Sequence, residues 1–330
     1  MDELRRGLGR REFVGLAASC GAHLLWVPRA GPAFGRTAWT TASRGTVVRE
    51  EPWGRLEALG DGIWALISTP LDGDRTTLCN GGIVAGLDGV LLIEGFATSA
   101  GAQWMAAEAR RLTGRAPTHV VLTHFHGDHT GGIGGYADGG AVMRVTAVTR
   151  GLVLQEDARR SAADGAVRAG LLAEAELMDP AGETLIDLGG RAVRMIPREG
   201  HTPSDVTVEV DDPSVVFCGD LVWNRMFPNY RDAIPSRLGR DVRALVRTRE
   251  TRYVPGHGPL ADAGDLQRYV DLIDDVEVHA RRAIELGRPV AAAAAEYRVP
   301  EALGEWIMFS PRYHEVAFGA WERELKQGPT

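Results

Sequence analysis

An α+β fold, with two β-sheets packed together and helices outside, is what this 330-residue chain predicts. Three observations carry that prediction. Strand-rich text is followed by helical text, and the pattern runs twice. No internal linker or solenoid-length repeat divides the blocks, so residues 51–330 read as a single domain ending in helices. The densest chemistry, His124-Phe125-His126-Gly127-Asp128-His129, follows a short buried strand, where layered sheets place their sites.

The elements follow in order. Trp53 to Thr69 holds two strand-like runs around the turn Gly60-Asp61-Gly62, and Pro70 to Thr77 is a polar loop. Leu78 to Leu87 and Val90 to Ile93 predict a hairpin across Asp88-Gly89. Thr98 to Arg111 predicts an amphipathic helix, with Ala102, Met105, Ala106, Ala109 and Leu112 on one face. Thr118 to Thr123 is apolar and β-branched, a buried strand. Thr146–Asp157 and Ala166–Leu177 read as helices. Glu183–Leu188, Ala192–Pro197, Val206–Val210 and Val215–Cys218 read as strands. Asp241–Arg249 and Asp262–Leu286 read as helices either side of the strand Tyr253-Val254, and the tail Pro300–Lys326 as helical.

Composition narrows the partners. The net charge is −7, with 44% hydrophobic residues. This globular composition has no basic footprint for nucleic acid and leaves a small-molecule substrate as the expected partner. Lys326 is the sole lysine, so an anion clamp would have to use arginine. At the N-terminus, Arg10-Arg11 precedes Phe13, the apolar run Gly15–Val27 and the small residues up to Ala33. Residues 1–36 therefore predict an export signal of the twin-arginine kind, delivered by that machinery to the periplasm or outside the cell. The run is short for a stable membrane span. Lipoprotein anchoring at Cys20, after Ala17-Ala18-Ser19, is the alternative reading. Excluding residues 1–36 removes six arginines against three acidic residues and takes the net charge from −7 to −10. Residues 37–50 read as a polar tether. Cys79 and Cys218 lie in apolar segments and read as buried thiols, their pairing undecided by sequence.

His124, His126, Asp128 and His129 bring four metal-competent side chains into six residues, and their nitrogen and oxygen donors suit zinc or a similar divalent cation. A dinuclear site needs about three more ligands. His201 in Gly200-His201-Thr202-Pro203, Asp220 after Gly219, and His257 in Pro255-Gly256-His257-Gly258 each follow an apolar strand beside a glycine. Singly, these could be a turn residue, a helix cap and a loop residue. The recurrence of strand, glycine and ligand makes them candidates. His119, His279 and His314 have no such setting and read as structural. Trp223, Asn224, Arg225 and Tyr230, in the aromatic- and arginine-bearing segment after Asp220, are the candidate substrate contacts.

Taken together, these motifs resemble the metallo-β-lactamase superfamily over about residues 50 to 270. The resemblance implies a four-layer αββα sandwich with the site at one edge of the two sheets. It implies that His124, His126 and His201 bind a first metal, that Asp128, His129 and His257 bind a second, and that Asp220 bridges them. It places Glu94 where the family often has an aspartate supporting the metal shell. Some antibiotic hydrolases have Cys or Ser at the position of Asp220. Aspartate there resembles the branch of glyoxalase II-like thioesterases and lactonases, so β-lactam hydrolysis is the less expected activity.

The implied protein is an exported hydrolase with two zinc ions. A metal-bridging hydroxide would attack an ester, lactone, thioester or amide-type carbonyl, with Asp128 as proton acceptor. Two alternatives stay open: a mononuclear iron persulfide dioxygenase-like enzyme, and a non-catalytic metal-binding or relay protein of a quinoprotein system.

Overall fold

Strand β5, Val90–Ile93, shows how the sequence sets the layers. Its four residues are all apolar and all buried. Val90 and Leu92 face one core, while Leu91 and Ile93 face another. Successive strand residues point to opposite sides of a sheet, so a run apolar at every position requires cover on both. A computed structural model describes residues 45–68, 74–160 and 164–328. The predicted export signal and residues 37–44 of the tether lie outside the described residues, as do residues 70–73 of the polar loop.

Among the described residues, thirteen strands form two sheets. The larger, in order β1 to β8, contains β1 (Thr46–Glu51), β2 (Gly54–Gly60), β3 (Ile63–Ser68), β4 (Gly81–Ala85), β5, β6 (His119–Val121), β7 (Val142–Thr146) and β8 (Glu176–Met178). Its first five strands pair antiparallel and the rest parallel. The smaller, in order β13-β12-β11-β10-β9, contains β9 (Thr184–Asp187), β10 (Ala192–Arg198), β11 (Asp205–Val210), β12 (Val215–Trp223) and β13 (Arg252–His257). Only β12 and β13 pair parallel in it. Between the sheets, Ile63, Ala65, Ile67, Val121, Val206, Val208 and Phe217 share one core.

On the outer face of the large sheet lies helix α1, Ser99–Thr113. Thr98 caps its first turn, accepting from the Gly101 amide at 3.2 Å, and Gly114 ends it in a left-handed conformation. Met105 and Ala109 of α1 pack with Leu92, Val120 and Leu122. A single turn, α2 (Gly127–Thr130), lies in the motif, and α3 (Ala147–Arg160) and α4 (Gly165–Glu174) follow β7. The small sheet is covered by α5 (Pro235–Ala244) and α6 (Ala263–Glu285), then α7 (Val290–Glu296) and α8 (Tyr313–Gln327). A capping box between Asp262 and Asp265 starts α6. No described helix is long and apolar enough to cross a membrane.

Five expectations change; the first is the tail, expected to be helical from Pro300, where after a short turn at Glu301–Leu303 the helix starts only at Tyr313. Residues 46–50 of the predicted tether, together with Glu51, form edge strand β1, which pairs with β2 although its side chains are almost all exposed. Val142–Thr146, unassigned in the sequence reading, is strand β7 beside the motif strand. The helix expected through Leu177 stops at Glu174, because Glu176–Met178 pairs with β7. Pro235 at the first turn starts α5 six residues before Asp241, and the helix ends at Ala244.

Candidate metal centre

Every candidate ligand but Asp220, which lies inside β12, stands at a strand end or in the turn beyond it. Residues 122–126 leave β6 and run into α2. This carries His124, His126, Asp128 and His129 around one short loop. Asp220 is within β12, His257 ends β13, and His201 sits in the turn between β10 and β11. All seven converge in two groups, whose ligand atoms lie within 4.8 Å of one another inside each group: His124, His126, His201 and Asp220; and Asp128, His129 and His257.

In the first group, His126 Nδ1 is 3.1 Å from His124 Nε2 and 3.0 Å from His201 Nε2. In the second, His257 Nε2 and His129 Nε2 lie 3.2 and 3.6 Å from Asp128 Oδ2. Asp220 spans both. Its Oδ2 is 3.2 Å from His201 Nε2, and its Oδ1 is 3.1 Å from His129 Nε2 and 3.4 Å from His257 Nε2.

Two glycines allow the approach. Gly219 has φ +52°, and a Cβ there would lie 2.9 Å from the Thr123 side chain. A Cβ on Gly256 would lie 1.9 Å from Asp220 Oδ1, so only glycine leaves room for that carboxylate.

The electrostatics are those of a cation site. Burial opposes ionisation of Asp128 and Asp220, yet the surrounding histidines overcome it and hold both below the usual carboxylate range. Burial likewise opposes a charged His257, but Asp220 and Asp128 push it up to about 9. Burial and neighbouring histidines leave His201 low, at about 3, against the pull of Asp220. His129 Nε2, His257 Nε2 and Asp220 Oδ1 are buried with no hydrogen-bond partner among the described residues. Buried polar atoms of this kind are normally satisfied. Imidazole and carboxylate donors in two adjoining groups fit divalent cations.

Residues behind the ligands fix their orientation. His126 turns Nε2 outward to Asp232 Oδ2, 2.9 Å away, which leaves Nδ1 facing the first group. Burial resists a proton on His126, and Asp232 outweighs it, raising its pKa. Glu94 Oε1 lies 3.0 Å from His129 Nδ1 and accepts from Thr123 Oγ1, which is 3.0 Å from His124 Nδ1. One carboxylate thus serves a histidine of each group. Glu94 and Phe96 both hold positive φ, +83° and +57°, backbone strain of the kind found at functional sites. Asn80 donates to the carbonyls of Pro255 and Gly258 at 2.8 Å and accepts from the Ser68 amide at 2.8 Å, tying the His257 loop to the large sheet. Thr202 bonds Asp205 through its amide and hydroxyl, fixing the His201 turn. Asp232, Asn80 and Asp205 escaped the sequence reading. Lone polar residues far along the chain carry no local pattern.

The candidate substrate contacts separate. Trp223 is buried, its ring centroid 4.2 Å from that of His257, so it backs a ligand. Asn224 is buried and donates to the carbonyls of Pro259 and Leu260, a structural role that replaces the expected substrate contact. Tyr230 is wholly buried against Phe227 and cannot reach a substrate. Arg225, at φ +56°, lies 3.8 Å from Asp265 in a cleft with Arg268 and Trp306, whose lining includes no candidate ligand. Cys79 and Cys218 are buried free thiols, and Cys79 Sγ donates to the Asp128 carbonyl at 3.1 Å.

The fold and site define a class: an αββα sandwich with a His/Asp cluster for divalent metal at one edge of its sheets. The family model of the metallo-β-lactamase superfamily matches residues 75–257, more than half of the chain, and the chain belongs to that superfamily. It is 32% identical over 207 residues to a hydroxyacylglutathione hydrolase from Acidiphilium cryptum, covering 62% of this chain and 75% of that one. It is 24% identical over 164 residues to a β-lactamase-like protein 2 homolog of Caenorhabditis elegans, covering 49% of this chain and 47% of that one. Among solved structures, a metallo-β-lactamase from Pontibacter korlensis superposes with a TM-score of 0.54 at 20% identity, covering 67% of this chain and 99% of the other. That likeness shows the fold.

Proposed function

We propose that this protein is a dinuclear zinc hydrolase whose substrate is a thioester or a related ester. The observation that carries the proposal is Asp220, which divides its two oxygens between the histidine groups at 3.2 and 3.1 Å. His124, His126 and His201 would hold one ion, Asp128, His129 and His257 the other, with Asp220 shared. When bound, such ions polarise a carbonyl and acidify water to a pKa of roughly 7. The thioester reading draws support from the Acidiphilium relative, named for hydrolysis of hydroxyacylglutathione.

The chain's own part is positioning and proton movement. Asp232 and Glu94 aim the imidazoles, and Trp223 shields the His257 ring. Asp128 is ionised and its side chain is about a quarter exposed, whereas Asp220 is buried. Asp128 is therefore the carboxylate placed to meet entering water and to accept a proton from it. Export by the arginine pair in residues 1–36 belongs to the same proposal, as the route to the periplasm.

The test is a panel of S-acylglutathione, lactone, ester and β-lactam substrates given to zinc-loaded protein. Thioester turnover that disappears on chelation is expected. No turnover of any substrate at full metal loading would overturn the hydrolase reading and favour a non-catalytic role. Iron retained through purification without added metal would favour the dioxygenase.

A further inference from the structure

The chain beyond the family-matched region builds a wall beside the second metal position. After α7, Ile307 pairs with the segment following β12: its amide donates to the Arg225 carbonyl at 3.0 Å, and its carbonyl accepts from the Phe227 amide at 2.9 Å. This fixes Phe309 and the start of α8. The Phe309 ring stands edge-on to His257 at 5.8 Å and to Trp223 at 5.9 Å. Tyr313 stands edge-on to Trp223 at 6.2 Å, and Trp223 is the ring packed against His257.

Tyr313 is 6% exposed, and its hydroxyl, which makes no hydrogen bond among the described residues, is not one of the fully enclosed unpaired atoms. Tyr136, Tyr253 and Tyr297, also buried, each donate theirs. Tyr230 and Tyr269 are unpaired too among the described residues, but both are wholly buried and out of a ligand's reach. The Tyr313 hydroxyl is not enclosed as theirs are, so it is open to a ligand or water. The charges that act on that of Tyr313 come from Asp128 and Asp220 on the metal-centre side and from Arg231. Burial first, then those carboxylates, raise its pKa, so it keeps its proton.

We propose that Tyr313 is a substrate-binding residue, its hydroxyl donating a hydrogen bond to an oxygen of the substrate held at the Asp128–His257 side, with Phe309 as the apolar wall of that subsite. The proposal deepens the hydrolase reading and rests on it for the substrate class. It concerns a residue outside the matched region, 75–257.

The experiment compares full-length, zinc-loaded wild type with Tyr313→Phe, which keeps the ring and removes the donor. Two readouts are taken: calorimetric affinity for inorganic phosphate, and kcat and KM on an S-acylglutathione. Expected in the variant are unchanged metal content, phosphate affinity weakened about tenfold, and a kcat lowered about 10²-fold if the oxygen gains charge in the transition state. Equal phosphate affinity in the two proteins, or no phosphate binding by either, overturns the proposal. A wild type that hydrolyses nothing while the variant loses phosphate affinity overturns the hydrolase reading and leaves Tyr313 as a ligand contact.

Discussion

Asp232 is the outer partner whose effect on the metal centre can be put in numbers. Its Oδ2 is 2.9 Å from His126 Nε2, and the opposite nitrogen of that ring faces His124 and His201 at 3.1 and 3.0 Å. Removing the carboxylate by Asp232→Ala leaves the ring free to rotate and its ligating nitrogen less basic. Loss of such an outer partner typically costs about 10–100-fold in metal affinity, or about 1.4–2.7 kcal/mol. Asp232→Asn keeps an acceptor without the charge and should fall between wild type and Ala. His126 belongs to one group only, so one of the two affinities should drop and the other hold. Titration against a chromogenic chelator resolves the two binding steps. Two wild-type affinities in Asp232→Ala would refute the positioning argument, and so would equal weakening of both.

Further outcomes follow from the same geometry. Gly256→Ala places a methyl 1.9 Å from Asp220 Oδ1 and should displace the shared carboxylate, with loss of bound metal measured by elemental analysis on protein of unchanged circular dichroism. Asn80→Ala removes two donors that hold the His257 loop. It should lower the melting temperature of the chelated protein and weaken the second metal, by roughly the 1–3 kcal/mol of buried carbonyls left unpaired. In the metal-free protein His257 is raised from 6.5 to about 9, so its pairing with the carboxylates stabilises fully below pH 6.5 and is lost as pH rises through 9. Denaturant melts should show that decline in chelated protein. Metal binding at about pH 7.5 should release protons, seen as a dependence of calorimetric enthalpy on buffer.

The candidate site was legible where its residues are local or patterned. His124 to His129 form one loop, and His201, Asp220 and His257 each sit beside a glycine in or just after an apolar strand. That spacing is what a convergent site requires. The layers were legible through apolar runs such as Val90–Ile93. β7 and β8 were not, because Val142–Thr146 and Glu176–Met178 are short, partly polar runs whose strand state comes from pairing with β6 and with each other. Two of the candidate substrate contacts turn out to be buried for a related reason. Asn224 and Tyr230 sit beside the ligands in sequence, but the backbone turns them into protein. Phe309 and Tyr313, far along the chain, come back to the metal centre through the Ile307 pairing. Asp232 was hidden within the segment singled out for its aromatics and arginines, since no spacing links it to His126.

The most direct test measures metal content per chain and thioester hydrolysis on one preparation as metal is added back to chelated protein. A dinuclear hydrolase should take up about two zinc ions per chain at saturation, with activity rising as they bind and no activity without them. Saturation at one ion, or hydrolysis that persists in metal-free protein, would contradict it.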